Sequence, residues 1–183
     1  MILAGDLTTR GQAEQARTIV RLACQHSCAV VAVCGNGDSR AVEKTLIEED
    51  VSLHTRTRQF GEWVLLGLSG VPGGLPWQYR FSEKLFEDWL EKMSQDTSHV
   101  TGRILVTHTP PKGLRDKTRF RTHAGSRSVR ARVENHSPSL VICGHIHEPH
   151  GEEQFGATRG DQWWARFRAA TRRCRPNTRP TRH

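Results

Sequence analysis

No stretch of about 18 consecutive apolar residues occurs in this 183-residue chain, which excludes a membrane-spanning helix. The N-terminus lacks a basic region followed by an apolar stretch and a cleavage site, so no signal peptide is read there. The five cysteines (Cys24, Cys28, Cys34, Cys143, Cys174) form no CxxC pair and leave one odd. They read as reduced, mostly buried thiols of a cytoplasmic protein. Lysine is missing from residue 159 onward, where eight arginines stand against one acid, Asp161. That stretch therefore carries +7 of the net charge of +8, and residues 1–158 hold 19 basic and 18 acidic side chains. The body of the chain is nearly neutral, which argues against nucleic acid as its partner and assigns the basicity to a tail.

What is present is an alternation of short apolar runs with helical patterns, within a length that suits one domain. Met1 to Asp6 reads as the end of a strand running into Gly5-Asp6. From Gln12 to about Gln25, Ala13, Ala16, Ile19, Val20 and Ala23 recur at helical spacing. Ala29 to Cys34 is a continuous apolar run, as in a strand covered on both faces, and it ends in Gly35-Asn36-Gly37-Asp38. A helix is expected from Ser39 to Glu49, strands at Val51–His54 and Glu62–Leu68, and a Gly- and Pro-containing loop from Ser69 to Tyr79. Phe81 to Met93 reads as an amphipathic helix capped by Ser82, with Phe86, Trp89 and Leu90 facing inward. The run Arg103–Thr107 ends in His108-Thr109-Pro110-Pro111, and a polar, arginine-rich loop follows to Gly125. A helix from Ser126 to His136 leads to the strand Leu140–Cys143, then Gly144-His145-Ile146-His147-Glu148. The fold class is a layered α/β (α+β) arrangement. After Gln154 the periodicity stops, and residues 156–183 read as a disordered arginine-rich tail.

Ligand-type residues collect at the carboxyl ends of these strands: Asp6, Asn36, His108, His145 and His147. Each alone suits a blander role: Asp6 a turn or cap, Asn36 a left-handed turn, His108 a packed imidazole, His145 and His147 solvated loop residues. Together they form a mixed oxygen and nitrogen donor set that suits Mn, Fe, Zn or Ni better than calcium. A carboxylate can bridge two cations, and two metals about 3.5–4 Å apart can hold both oxygens of an in-line phosphoryl displacement. The implied chemistry is hydrolysis of a phosphate ester by a metal-held hydroxide.

The order Gly-Asp, Gly-Asn-x-Asp, His-Thr-Pro-Pro, Gly-His-Ile-His resembles the calcineurin-like metallophosphoesterase family over residues 1 to about 155. It is most similar to the small bacterial and archaeal phosphoesterases with a Cys-Gly-His-Ile-His-Glu ending. The resemblance implies a β-sandwich flanked by helices, a domain at 1–155 and a dinuclear metal site with manganese foremost. It implies that Asp6 bridges the metals, that Asn36, His108 and His145 complete one shell, and that His147 serves the other. His123 and Ser126 lie in a loop that the subgroup keeps near its site, with no role assigned to either. The substrate implied is a phosphodiester or small phosphomonoester, with no membrane partner.

Three departures accompany the resemblance. The family opens on an Asp-x-His strand that would precede Met1, so the expectation is an N-terminally truncated domain missing its first strand. Many members carry histidine where Gly37 stands, and there it acts as general acid. Glycine transfers no proton, so that contribution, about 10²–10⁴-fold, is absent or supplied elsewhere. The arginine-rich tail stands where the family has a last pair of strands, and both ends read as a misplaced start or shifted frame. Two alternatives therefore stand beside the enzyme: a catalytically weak remnant binding at most one metal, and nucleic-acid binding through the tail with Trp163 and Trp164. The loop with Lys112, Arg115, Lys117, Arg119 and Arg121 suits phosphate attraction or a solvated surface equally.

Overall fold

In a computed structural model, residues 1–73, 79–97, 100 and 102–146 are described. His147, the boundary at 155 and the tail at 156–183 lie outside the described residues. The chain runs β1 (Ile2–Ala4), α1 (Ala13–His26), β2 (Val31–Val33), α2 (Arg40–Glu48), β3 (Thr57–Phe60) and β4 (Trp63–Leu68). It continues through β5 (Val71–Pro72), β6 (Arg80–Phe81), α3 (Glu83–Asp96), β7 (Gly102–Thr107), α4 (Arg127–His136) and β8 (Leu140–Cys143). Three helices open on a serine whose hydroxyl accepts an orphan amide of the first turn. Ser39 takes Val42 N–H, Ser82 takes Leu85 N–H and Ser126 takes Val129 N–H.

Strand pairing and side-chain alternation together build the layers. β1 and β2 pair in parallel; β3, β4, β7 and β8 form a second sheet in that order, its last three strands parallel. Alternate residues of a strand point to opposite faces. On β2, Ala32 and the following Cys34 pack with Ala16, Val20 and Ala23 of α1 and Val42 and Leu46 of α2. Val31 and Val33 point the other way and meet Leu53, Leu65 and Val106. On β4, Val64, Leu66 and Leu68 join Leu105 against Phe86, Leu90 and Met93 of α3 and Val129 and Val133 of α4. The middle cluster is thus the interior of a sandwich, and the outer two lie beneath the helix pairs. This is the helix-flanked β-sandwich that the sequence led us to expect. Each fully buried Leu, Val or Phe contributes about 1.5–3 kcal/mol to holding it.

Some elements differ from expectation. β3 pairs antiparallel with β4 across the two-residue turn Gly61-Glu62, where Gly61 takes φ 61°. Its residues Thr-Arg-Gln-Phe are largely exposed, so an edge strand formed without an apolar run to announce it. Val51–His54 is not a continuous strand. It makes two bridges, Ala32 to Ser52 and His54 to Gly67, that join the two sheets. Within Ser69–Tyr79, Val71–Pro72 pairs in parallel with Arg80–Phe81. Cys34 is buried, Cys143 half-buried and Cys24 exposed, and these three thiols are free. No described helix is long and apolar enough to cross a membrane.

Candidate metal centre

Four strand ends converge at one edge: β1 leads to Asp6, β2 to Asn36, β7 to His108 and β8 to His145. Gly5 (φ 93°) and Asp6 (φ 52°) both take left-handed backbone, as does His145 (φ 69°). Such conformations are unfavourable for side-chain-bearing residues and persist only where the surroundings fix them. The fixing is visible. Asp38, buried, accepts from the backbone amides of Leu7 (3.2 Å), Thr8 (2.9 Å) and Gly35 (2.8 Å) and from the Thr8 hydroxyl (3.0 Å). One carboxylate therefore ties the loop carrying Asp6 to the turn carrying Asn36. His108 donates its backbone N–H to Leu68 O, and its carbonyl accepts from Gly144 N, so β4 and β8 hold it from both sides.

The donor atoms of Asp6, His108 and His145 all lie within 4.8 Å of one another. His108 is buried, and its Nδ1 lies 2.8 Å from Ala4 O, a carbonyl that can only accept. Nδ1 therefore carries the proton. Nε2 then faces Asn36 Oδ1 at 3.2 Å and Asp6 Oδ2 at 3.5 Å. The other carboxylate oxygen, Asp6 Oδ1, accepts from Gly37 N–H at 2.8 Å. A nitrogen and two oxygens with lone pairs turned toward one space call for a positive centre between them, either a proton on Nε2 or a cation. An oxygen and nitrogen donor set with the second nitrogen of the imidazole held by a carbonyl is how histidine is oriented toward divalent metals. The residues present fit such an ion.

Glycine at two positions is a matter of space. A Cβ on Gly35 would stand 2.2 Å from Asp6 Oδ1, 2.4 Å from Asp6 N and 2.6 Å from His108 Cε1. One on Gly5 would stand 2.2 Å from His108 Nδ1. Burial pushes the Cys143 thiol up to about 11, so it is a neutral thiol at neutral pH.

Of the five residues singled out in the sequence, Asp6, His108 and His145 are brought together, Asn36 joins through His108, and His147 lies outside the described residues. Ser126 is a helix cap that also donates to Glu83 Oε2 at 2.7 Å. His123 meets the buried Asp116 at 2.6 Å through Nδ1. Burial raises the Asp116 carboxyl, but the amides of Gly113 and Gly125 and the His123 imidazole outweigh it and hold the group below the usual range. Lys112, Arg115, Lys117, Arg119 and Arg121 are exposed on the same loop, with the Arg119 guanidinium 4.7 Å above the ring of Phe120. Sequence reasoning assigned no role to Asp38 or Asp116. Asp38 stands in the Gly-Asn-x-Asp motif, and Asp116 is a lone acid in a basic loop, which was a usable signal.

A family model described as calcineurin-like phosphoesterase matches residues 1–149. The UPF0046 protein K07C11.7 of Caenorhabditis elegans is 35% identical over 85 residues, 46% of this chain and 27% of that protein. The uncharacterized protein MJ1162 of Methanocaldococcus jannaschii is 25% identical over 170 residues, 86% of this chain and 73% of that one. Among solved structures, TT1561 of Thermus thermophilus superposes with a TM-score of 0.63 at 19% identity, covering 84% of this chain and 70% of that chain. Another has a TM-score of 0.64 at 19% identity and covers 77% and 59%. At that identity the likeness is one of fold. The chain spans about a quarter of the nematode relative's length and under two thirds of this last structure.

Proposed function

This chain belongs to the calcineurin-like phosphoesterase family, whose members are divalent-metal-dependent hydrolases of phosphoester bonds, and from that premise we propose that it hydrolyses phosphodiesters or small phosphomonoesters at a dinuclear centre. One observation carries the reading: His108 Nε2, Asn36 Oδ1 and Asp6 Oδ2 face one space, and His145 stands beside it. Asp6, Asn36, His108 and His145 would hold one ion, with Asp6 shared toward a second that His147 would serve. Manganese heads the candidates, with Fe, Zn and Ni behind it. When bound, such ions polarise the phosphoryl oxygens and make water nucleophilic at neutral pH.

The chain's own residues supply preorganisation. The Ala4 carbonyl fixes the His108 ring, and the Gly37 amide fixes one oxygen of Asp6, so two of the ligands are oriented by the chain itself. Gly37 offers an amide and no side-chain proton, so esters with good leaving groups are favoured over alkyl esters. The exposed lysines and arginines of residues 112–121, in the loop that follows His108, would attract a phosphate dianion or diester.

The test is manganese-dependent hydrolysis of bis-p-nitrophenyl phosphate by the wild type and His145→Ala. Turnover that requires manganese and falls in the variant agrees with the proposal. A folded, manganese-loaded wild type without turnover on this diester or on p-nitrophenyl phosphate overturns it.

A further inference from the structure

The end of β4 runs into Ser69 and Gly70, two buried residues that hydrogen-bond to several neighbouring segments. The Ser69 hydroxyl accepts from Cys34 N–H at 2.8 Å and donates to Glu43 Oε2 at 3.4 Å. Ser69 N–H donates to His54 Nδ1 at 3.1 Å. Gly70 N–H donates to the Cys34 carbonyl at 2.7 Å, and the Gly70 carbonyl accepts from the Thr109 hydroxyl at 2.8 Å. Two consecutive residues therefore hold both backbone groups of Cys34, which leads directly into Gly35-Asn36. They also hold the side chain of Thr109, which directly follows His108.

Behind this clip sits Glu43, only 8% exposed. Its carboxylate accepts from the hydroxyls of Ser52, Ser69 and Tyr79, and no ion pair reaches it among the described residues. A buried carboxylate that hydroxyls satisfy without an ion pair among the described residues is costly to place in a core, and a leucine there would pack without that cost. Its observable effect is orientation: with the Ser69 proton drawn to Glu43, the oxygen lone pair is left facing Cys34 N–H. Burial pushes the His54 imidazole down, so it is neutral and Nδ1 is free to accept from Ser69. The clip joins the turn bearing Asn36 to the loop bearing His108, whose donor atoms stand 3.2 Å apart.

We propose that Ser69, oriented by Glu43, is a positioning residue that sets the spacing of Asn36 and His108 and thereby the affinity of the centre for its metal. The inference rests on the reading of that centre given above. It requires no contact between Ser69 or Glu43 and the ion.

The test is manganese titration of the full chain by calorimetry, with denaturation midpoints measured on the same samples. Ser69→Ala should weaken manganese binding by roughly 10- to 100-fold, the range for partners that orient metal ligands. Leu90→Ala, in the core beneath α3 and α4, should lower the midpoint and leave the affinity unchanged. That contrast separates positioning from general stability. Ser69→Ala that folds and binds manganese like the wild type overturns the inference, as does an equal affinity loss in Leu90→Ala. Should Ser69→Ala not fold, the isosteric Glu43→Gln decides: weaker binding supports the clip and unchanged binding overturns it. A wild type that takes up no manganese overturns the centre and the clip together, whereas failure of the clip alone leaves wild-type binding intact.

Discussion

Gly35→Ala tests how closely the centre is built. The added methyl would lie 2.2 Å from Asp6 Oδ1 and 2.4 Å from Asp6 N, where ordinary contacts are 3.4–4 Å. Rotating the Asp6 side chain relieves the first overlap but not the second, because the second atom is backbone. The methyl would also stand 2.6 Å from Cε1 of the buried His108 ring. The Asp6 loop or the Asn36 turn must therefore move by about an ångström, against the hydrogen bonds that Asp38 makes to both. Overpacking of this kind costs about 1–3 kcal/mol, and if it falls on the metal-ready arrangement it weakens binding about five- to 150-fold. The assay is manganese calorimetry beside urea denaturation, with Gly61→Ala as the comparison. Gly61 has nothing within 4 Å and pays only for its left-handed backbone, about 1–2 kcal/mol of stability with no change in metal affinity. Gly35→Ala binding manganese as tightly as the wild type would refute the reasoning.

Two further outcomes follow from the carboxylates. Asp38→Ala orphans the amides of Leu7, Thr8 and Gly35 and should destabilise by about 1–3 kcal/mol for each that stays buried without a partner; a urea midpoint equal to the wild type's would count against it. Asp116 and Glu83 are both held below the usual carboxylate range: burial raises each, and hydrogen bonds outweigh it, from Gly113, His123 and Gly125 for Asp116 and from Ser126, Arg127 and Ser128 for Glu83. A depressed folded-state value adds stability that is fully present above the unfolded value of about 4 and is lost as pH falls through the folded one. Denaturation midpoints from pH 7 to pH 3 should therefore fall more steeply in the wild type than in Asp116→Asn, and parallel curves would exclude a contribution from Asp116.

Which parts of this were legible in the chain follows from where the information lies. β2 and the core of β7 at residues 104–106 announce themselves because layers pack on both of their faces, so their sequences are apolar runs. β3 is invisible because its exposed edge asks nothing of Thr57, Arg58 or Gln59, and its pairing is set by the turn at Gly61-Glu62. Val51–His54 looks like a strand because Val51 and Leu53 are buried, yet the segment crosses between two sheets and makes only bridges. At the centre, the donor residue types could be read because each follows a strand end. Their hydrogen bonding could not: His108 is oriented by Ala4, 104 residues earlier, and Asp38 fastens Thr8, 30 residues earlier. Local sequence carries no trace of such pairings.

Diffraction from crystals grown with manganese, recorded where that metal scatters anomalously, bears most directly on the central claim. The account predicts an anomalous peak within coordination distance of Asp6, Asn36, His108 and His145, and its disappearance in His108→Ala. Manganese bound elsewhere in the crystal with this site lacking a peak, or a peak unchanged in His108→Ala, would contradict it.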